Sequence, residues 1–192
     1  MGYWLFNPDK PKPPLPEYQG ILLEDVPPGS TLLYYGGVPV TEWVGRKKGF
    51  PYRTPPFHAS LMVLDGMCLN MGWKPRIIPV QGQMQSTRRI DVVLYNDLSD
   101  KDRFNICASA ALRNGRGNYD WRGFLSHGIK WIQPSRRQDY CSQQVVSIHR
   151  ENDHIISYKP EEESAPWDLY YFGAGNPYCE LRTLHIGKDF KP

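Results

Sequence analysis

The fold of this chain is decided by the stretch Asp139-Tyr140-Cys141-Ser142-Gln143-Gln144-Val145-Val146-Ser147-Ile148. Cys141, Val145 and Ile148 stand at positions i, i+4 and i+7, which predicts a helix with these residues on one face. Asp139 is a favourable N-cap residue, so Cys141 is expected in the first turn. Unpaired backbone N–H groups and the helix dipole favour an anion there, which makes Cys141 a candidate nucleophilic thiolate. The alternative is a buried structural cysteine, because free cysteine is among the most buried residue types.

Length and composition predict one soluble globular domain. The 192 residues are enough for one domain with a real core. We expect a Pro-rich arm over residues 1–20 and a single domain over residues 21–192. The 18 Pro and 17 Gly residues favour turns over long helices. The net charge of +3 is too small to predict a nucleic-acid or anionic-lipid partner.

The cysteine spacing and the hydropathy pattern exclude several further classes. The four cysteines form no C-x-x-C pair, so neither a zinc cluster nor a disulfide framework is expected, and no cofactor is predicted. The chain shows no signal-peptide pattern and no run of about 18 apolar residues. We therefore expect a cytoplasmic protein without a membrane span, while export by another route stays open.

Alternating and β-branched patterns predict a small antiparallel sheet in the middle of the chain. The expected strands cover residues 31–35, 58–64, 67–71, 76–80 and 89–95. Asp65-Gly66 predicts a tight hairpin turn between the second and third of these. Further strands are expected over residues 154–158 and 181–186, and residues 173–176 are interpreted as a turn.

A capped helix is expected to follow the sheet. Ser99 and Asp102 form a capping-box pattern, and Gly115 is placed to end the helix. Its predicted buried stripe consists of Phe104, Cys107, Ala108, Ala111 and Leu112.

A cysteine nucleophile requires a base, and His58 is the best candidate among the five histidines. It begins a strand after a long loop, whereas His127 lies in an irregular segment. The other three histidines, His149, His154 and His185, have surface-like contexts. Asn70, on the returning strand of the hairpin, is suited to orient the imidazole through its carbonyl oxygen. Asp65 is the competing carboxylate, although its place beside Gly66 favours a turn role.

The order of these segments resembles the circularly permuted papain-like hydrolases, in particular the YiiX-like proteins. This family is related to the NlpC-type cell-wall peptidases and to lecithin–retinol acyltransferase. The resemblance covers residues 26–150 and rests on the segments at 28–33, 58–63, 118–121 and 140–145. It implies an α+β, permuted papain-like fold with a small antiparallel sheet packed against helices and the nucleophile at a helix N-terminus.

The resemblance also implies roles for individual residues. Cys141 becomes the nucleophile, His58 the general base and Asn70 the polar third residue, where many members of the family carry an acid. Tyr119 corresponds to a tyrosine that lines the substrate cleft in the peptidase relatives. Trp121 and Ser142 are further candidates for substrate binding.

Three functions follow from this site. The first is a cysteine hydrolase of amide bonds in cell-wall peptides or isopeptide-like linkages, acting through a thioester without a metal. The second is an acyltransferase or thioesterase that uses the same residues on lipid substrates. The third is a catalytically inactive binding module that retains the fold.

Overall fold

The computed structural model describes residues 16–36, 47, 49–52, 54–84, 87–120, 122 and 139–185. Most of the predicted Pro-rich arm, together with Trp121 and His127, lies outside the described residues. Where the described chain begins, the Pro16 carbonyl accepts a hydrogen bond from Arg89 at 2.6 Å. The Tyr18 and Tyr170 hydroxyls are 2.7 Å apart, so residues 16–18 lie against the folded part of the chain.

The described residues form a seven-stranded sheet with the strand order β1-β7-β6-β2-β3-β4-β5. Its strands are β1 (Gly20–Leu22), β2 (Thr31–Tyr35), β3 (His58–Leu64), β4 (Met67–Met71), β5 (Pro75–Pro79), β6 (Arg89–Tyr95) and β7 (Cys179–His185). Neighbouring strands are antiparallel except for the β1–β7 pair, which is parallel. The predicted antiparallel sheet is confirmed, although β5 begins one residue before the expected strand.

The β3–β4 hairpin matches its predicted turn. Gly66 has a φ of 67°, a left-handed conformation that glycine adopts without strain. Ser60 pairs with Asn70 across the two strands. His58 lies two residues before Ser60, so its side chain lies on the same face of the sheet as those of Ser60 and Asn70. The hairpin thus makes His58 and Asn70 diagonal neighbours.

Four α-helices accompany the sheet in the described part of the chain, which gives the α+β class that the sequence predicts. They are α1 (Val80–Met84), α2 (Asp100–Arg113), α3 (Cys141–Arg150) and α4 (Pro166–Gly175). Two short 3-10 helices cover Leu23–Asp25 and Glu161–Glu163. No helix among the described residues is long and apolar enough to cross a membrane.

Helix α2 has the predicted cap, but of the predicted buried stripe only Cys107 packs, partly buried, against the core. The Ser99 hydroxyl accepts from the Asp102 N–H at 3.2 Å, and the Asp102 carboxylate accepts from the Ser99 N–H at 3.1 Å. Phe104 and Leu112, however, are 72% and 65% exposed, whereas Ile106 is fully buried. The physical reason is Arg103, whose guanidinium donates to the backbone carbonyls of Pro28 and Tyr95 and so fixes the opposite face of the helix inward.

The core has two layers, one on each face of the sheet. The larger cluster packs α3 and α4 against residues such as Leu33, Leu61 and Val93. The smaller one contains Leu32, Met62 and Val92 on the other face. The alternation along β2, β3 and β6 therefore divides the side chains between two apolar layers.

Two of the local predictions for the last third of the chain are wrong. Residues 154–158 form no strand, and Gly173 lies inside α4 rather than in a turn. A Cβ added to Gly173 would lie 2.8 Å from Val93 Cγ1, so this glycine allows the helix to approach the sheet closely. The expected last strand is confirmed as β7.

Candidate active site

Helix α3 begins at Cys141, but its N-cap is Tyr140 rather than the predicted Asp139. Tyr140 makes no side-chain capping bond to the first turn. Asp139 instead bridges in parallel with Tyr119, and its carbonyl accepts from the Asp120 N–H at 2.9 Å. The first N–H bonded within the helix is that of Gln144, which donates to the Tyr140 carbonyl at 3.0 Å. The N–H groups of the first turn lie at the positive end of the helix dipole, a position that favours an anion, and the N–H of Cys141 is hydrogen-bonded to Tyr119.

The Cys141 thiol lies beside His58. Burial opposes ionisation of the thiol, but the charge of the neighbouring His58 imidazolium and its hydrogen bond to the sulfur outweigh it. A backbone hydrogen bond from Ala59 and the Tyr119 hydroxyl, 4.0 Å from the sulfur, act in the same direction. The pKa of Cys141 is therefore lowered from its ordinary value, which favours the thiolate.

His58 shows the complementary shift. Burial alone would lower its pKa, but the adjacent Cys141 thiolate, its hydrogen bond and the hydrogen bond to Asn70 raise the pKa above its ordinary value. Nε2 of His58 is hydrogen-bonded to Oδ1 of Asn70. This contact leaves Nδ1 for the thiol and fixes the plane of the ring. The two shifts together favour a thiolate–imidazolium pair.

The Cys141 sulfur lies at the end of the β3–β4 ladder. Ser60 and Asn70 are the last pair of residues that pair across these two strands. The Ala59 N–H consequently lies beyond the last registered pair and donates to Cys141. The hairpin thus supplies the imidazole, its orienting amide and a backbone donor to the thiolate.

Tyr34 is a part of this site that the sequence pattern does not identify. It pairs with His58 across β2 and β3, and the centroids of their two rings are 5.3 Å apart. Its hydroxyl lies 2.7 Å from the Ser60 hydroxyl and 3.7 Å from the Cys68 sulfur. The buried tyrosine ring therefore packs against the imidazole and is itself held in place by two polar contacts. Only knowledge of the strand register could have indicated it.

The remaining predicted site residues differ in their placement. Tyr119 lies next to the thiol, whereas the Ser142 side chain is fully buried and its hydroxyl has no hydrogen-bond partner among the described residues. Asp65 is exposed in the turn at the far end of β3, so the competing carboxylate does not reach His58. Cys141 itself is 1% exposed.

The prediction of a surface context is wrong for His149. This residue is fully buried, and its Nδ1 lies 2.9 Å from Nδ1 of His154. It is eight residues after Cys141 in the same helix, and the centroid of its ring is 5.1 Å from that of Tyr95. The two histidines help to anchor the C-terminal end of α3 and are remote from the thiol.

The fold and this arrangement define a class: an α+β protein with a Cys–His–Asn chain of contacts at a helix start. No protein-family model and no curated protein sequence matches the chain. Its structure is similar to the crystal structure of the metalloprotein YiiX from Escherichia coli O157:H7, with a TM-score of 0.60 and 10% sequence identity. The match covers 86% of this chain and 99% of YiiX. The chain therefore has a YiiX-like fold.

The described residues contain no group of three or more His, Cys, Asp or Glu side chains that could hold a metal ion. The Cys141–His58 pair is instead engaged in its own hydrogen bond.

Proposed function

We propose that this chain is a cysteine hydrolase that cleaves an amide bond through a thioester acyl-enzyme, on a circularly permuted papain-like fold. The observation that carries the proposal is the chain of contacts from Cys141 to His58 to Asn70, with the thiol at the first residue of a helix. Nucleophile, base and orienting group are the three parts that such chemistry requires.

The acylation step starts from the Cys141 thiolate and the His58 imidazolium. The Cys141 thiolate attacks the carbonyl carbon, and a C–S bond forms as the carbonyl π electrons move to the oxygen. The N–H groups of the first turn of α3 are suited to stabilise this oxyanion. The His58 imidazolium then donates its proton to the leaving nitrogen as the C–N bond breaks.

The deacylation step reverses the proton transfer. Neutral His58 takes a proton from water, and the resulting hydroxide attacks the thioester carbonyl. The C–S bond breaks, the acid product leaves, and the thiolate–imidazolium pair is restored. Asn70 keeps Nε2 engaged throughout, so that Nδ1 carries the proton at each step.

The resemblance to the cell-wall peptidases favours cell-wall peptides or isopeptide-like linkages as substrates. The test is to incubate the full chain with peptidoglycan peptide fragments, and in parallel with acyl esters, and to identify products by mass spectrometry. We expect peptide cleavage that is lost in Cys141→Ala and reduced by a factor of roughly 100 to 10,000 in His58→Ala. Cleavage of esters alone would favour the lipid-directed alternative, and cleavage that persists in Cys141→Ala would refute the proposal.

An inactive binding module of the same fold is the second candidate, and the 1% exposure of Cys141 is the observation that favours it. Thiol labelling separates the two. Cys107 is a matched reference because it is partly exposed and burial raises its pKa. A hydrolase requires iodoacetamide to modify Cys141 faster than Cys107 near neutral pH. Slower modification of Cys141 would favour the binding module.

A further inference from the structure

Helix α2 has an apolar outer face that is exposed to solvent. On the inner face Ile106 is fully buried, whereas Phe104 and Leu112 on the outer face are 72% and 65% exposed. Ala108 and Ala111, which lie between them, are exposed as well. These four outer residues stand at i, i+4, i+7 and i+8, so they form one continuous stripe along the helix. A continuous apolar stripe in water marks an interaction surface, unlike apolar residues that are scattered singly.

The stripe is symmetric about Ala108. Phe104 lies four residues before this alanine and Leu112 lies four residues after it. When two copies of α2 cross antiparallel at Ala108, Phe104 of each copy is level with Leu112 of the other. The small residue at the crossing point lets the helices approach closely, so the two larger side chains interdigitate. The face is therefore complementary to itself, which is the property that a two-fold dimer requires.

The charges at the ends of α2 follow the same symmetry. Asp100 stands eight residues before Ala108, and Arg116 stands eight residues after it; both are exposed, and neither makes an ion pair with another described residue. Arg116 lies in the turn that ends the helix, where its N–H donates to the Arg113 carbonyl at 3.0 Å. In the antiparallel pair each Asp100 approaches Arg116 of the other copy. Lys101 approaches the carbonyl end of the other helix, where a cation is favourable.

The size of the face predicts a weak and reversible dimer. The four apolar residues offer roughly 300 Å² per subunit, given that one aromatic side chain can bury about 150–250 Å². Trp73, in the turn between β4 and β5, is 80% exposed. This turn lies beside the C-terminal end of α2, because the Gly115 N–H donates to the Pro75 carbonyl at 2.7 Å. Even with Trp73 the area stays below the roughly 800 Å² per partner of a standard interface.

We propose that α2 is the contact surface of a symmetric, antiparallel dimer of this chain, with Ala108 at the two-fold axis and Asp100 paired with Arg116 across it. A parallel pair of helices is disfavoured because it sets Asp100 beside Asp100 and Arg116 beside Arg116. The inference is independent of the proposed function, since neither Cys141 nor His58 belongs to α2.

Sedimentation equilibrium of the full chain tests the dimer over a range from about 10 μM to about 1 mM, where an interface of this size is expected to associate. We expect a monomer–dimer equilibrium that is weakened roughly tenfold or more in Phe104→Ser and in Leu112→Ser. Ile155→Ser is the matched control, because Ile155 is 64% exposed but lies after α3 rather than on α2. It should leave the association unchanged. Thermal unfolding of dilute samples should show the same monomer stability in Leu112→Ser as in the native protein.

A charge exchange tests the antiparallel register. Asp100→Arg and Arg116→Asp each set like charges against one another and should weaken the dimer roughly three- to tenfold. The double variant restores opposite charges and should recover most of the lost affinity. A protein that stays monomeric throughout the range, or a dimer that Leu112→Ser and Ile155→Ser weaken equally, would overturn the proposal. A monomer that Leu112→Ser destabilises would also overturn it, because the face would then be covered within one chain. A double variant that recovers no affinity would refute the register.

Discussion

Replacing His58 with Ala tests the electrostatic basis of the site most directly. In the native protein the imidazolium and its hydrogen bond outweigh the burial of the Cys141 thiol and lower its pKa. Without the ring, burial remains as the dominant influence, so the pKa of Cys141 should rise above its ordinary value. A thiol with the ordinary pKa of about 8.5 is only about 1% ionised at pH 6.5. The buried thiol of the variant should be ionised less than that.

The rate of alkylation follows the thiolate fraction, so its value at pH 6.5 should fall by a factor of at least about 10 in His58→Ala. The assay is mass-spectrometric measurement of iodoacetamide incorporation at Cys141 between pH 5 and pH 9. Cys107 in the same sample reports reagent activity, and its rate should not change. The variant's rate should still be rising at pH 9, whereas that of the native protein should level off earlier. Overlapping pH profiles would show that His58 does not activate the thiol and would refute the reasoning.

Three further predictions concern the supporting residues. Asn70→Ala removes the acceptor for His58 Nε2 and should lower the rate of peptide hydrolysis by roughly tenfold or more. Asn70→Asp should retain more activity than Asn70→Ala, because a carboxylate can accept the same hydrogen bond. An equal loss of activity in both variants would contradict an orienting role for Asn70. Tyr34→Phe keeps the ring against His58 but removes the contacts of the Tyr34 hydroxyl with the Ser60 hydroxyl and the Cys68 sulfur. Urea unfolding should show that the free energy of unfolding falls by about 1 kcal/mol. An unchanged free energy of unfolding would show that these contacts do not stabilise the fold. Burial holds His149 neutral, with a pKa well below its ordinary value. The protein should therefore become less stable as the pH falls below about 6.5, because the unfolded state binds the proton first. In urea unfolding at pH 7.5 and pH 5.5, His149→Gln should show a smaller difference in stability between the two pH values than the native protein does. An equal difference would exclude His149 as the cause of the pH dependence.

The sequence predicts best those features whose causes are local. The Asp65-Gly66 turn, the Ser99–Asp102 cap and the strand over residues 58–64 depend on residues close together in the chain, and the structure contains all three. The two-residue turn alone would not place Asn70 beside His58. It pairs Leu64 with Met67, and the same register continued along the strands would set Asn70 opposite Leu61, on the other face of the sheet. The register shift between Met62 and Leu64 sets Asn70 opposite Ser60 instead, and the sequence pattern does not predict that shift.

Features that depend on distant contacts could not be derived in this way. The rotation of α2 is set by Arg103 bonding to carbonyls at Pro28 and Tyr95, and no helical periodicity contains that information. The burial of His149 depends on which side of α3 meets β6, and its own sequence context gives no sign of it. The contact of Tyr34 with His58 depends likewise on the pairing of β2 with β3.

The burial of Cys141 and its ionisation have to be considered together. A side chain that is 1% exposed has almost no contact with water, and an isolated thiolate would not be stable there. The same exclusion of water strengthens its attraction to the His58 imidazolium, because charges interact more strongly where the dielectric is low. The proposed mechanism therefore requires transient opening of the site before any substrate or reagent reaches the sulfur, and larger alkylating reagents should react more slowly with Cys141 than iodoacetamide does. The thiolate–imidazolium pair can be stable in the closed site and reactive in the open one, so burial and activity are compatible properties of the same residue.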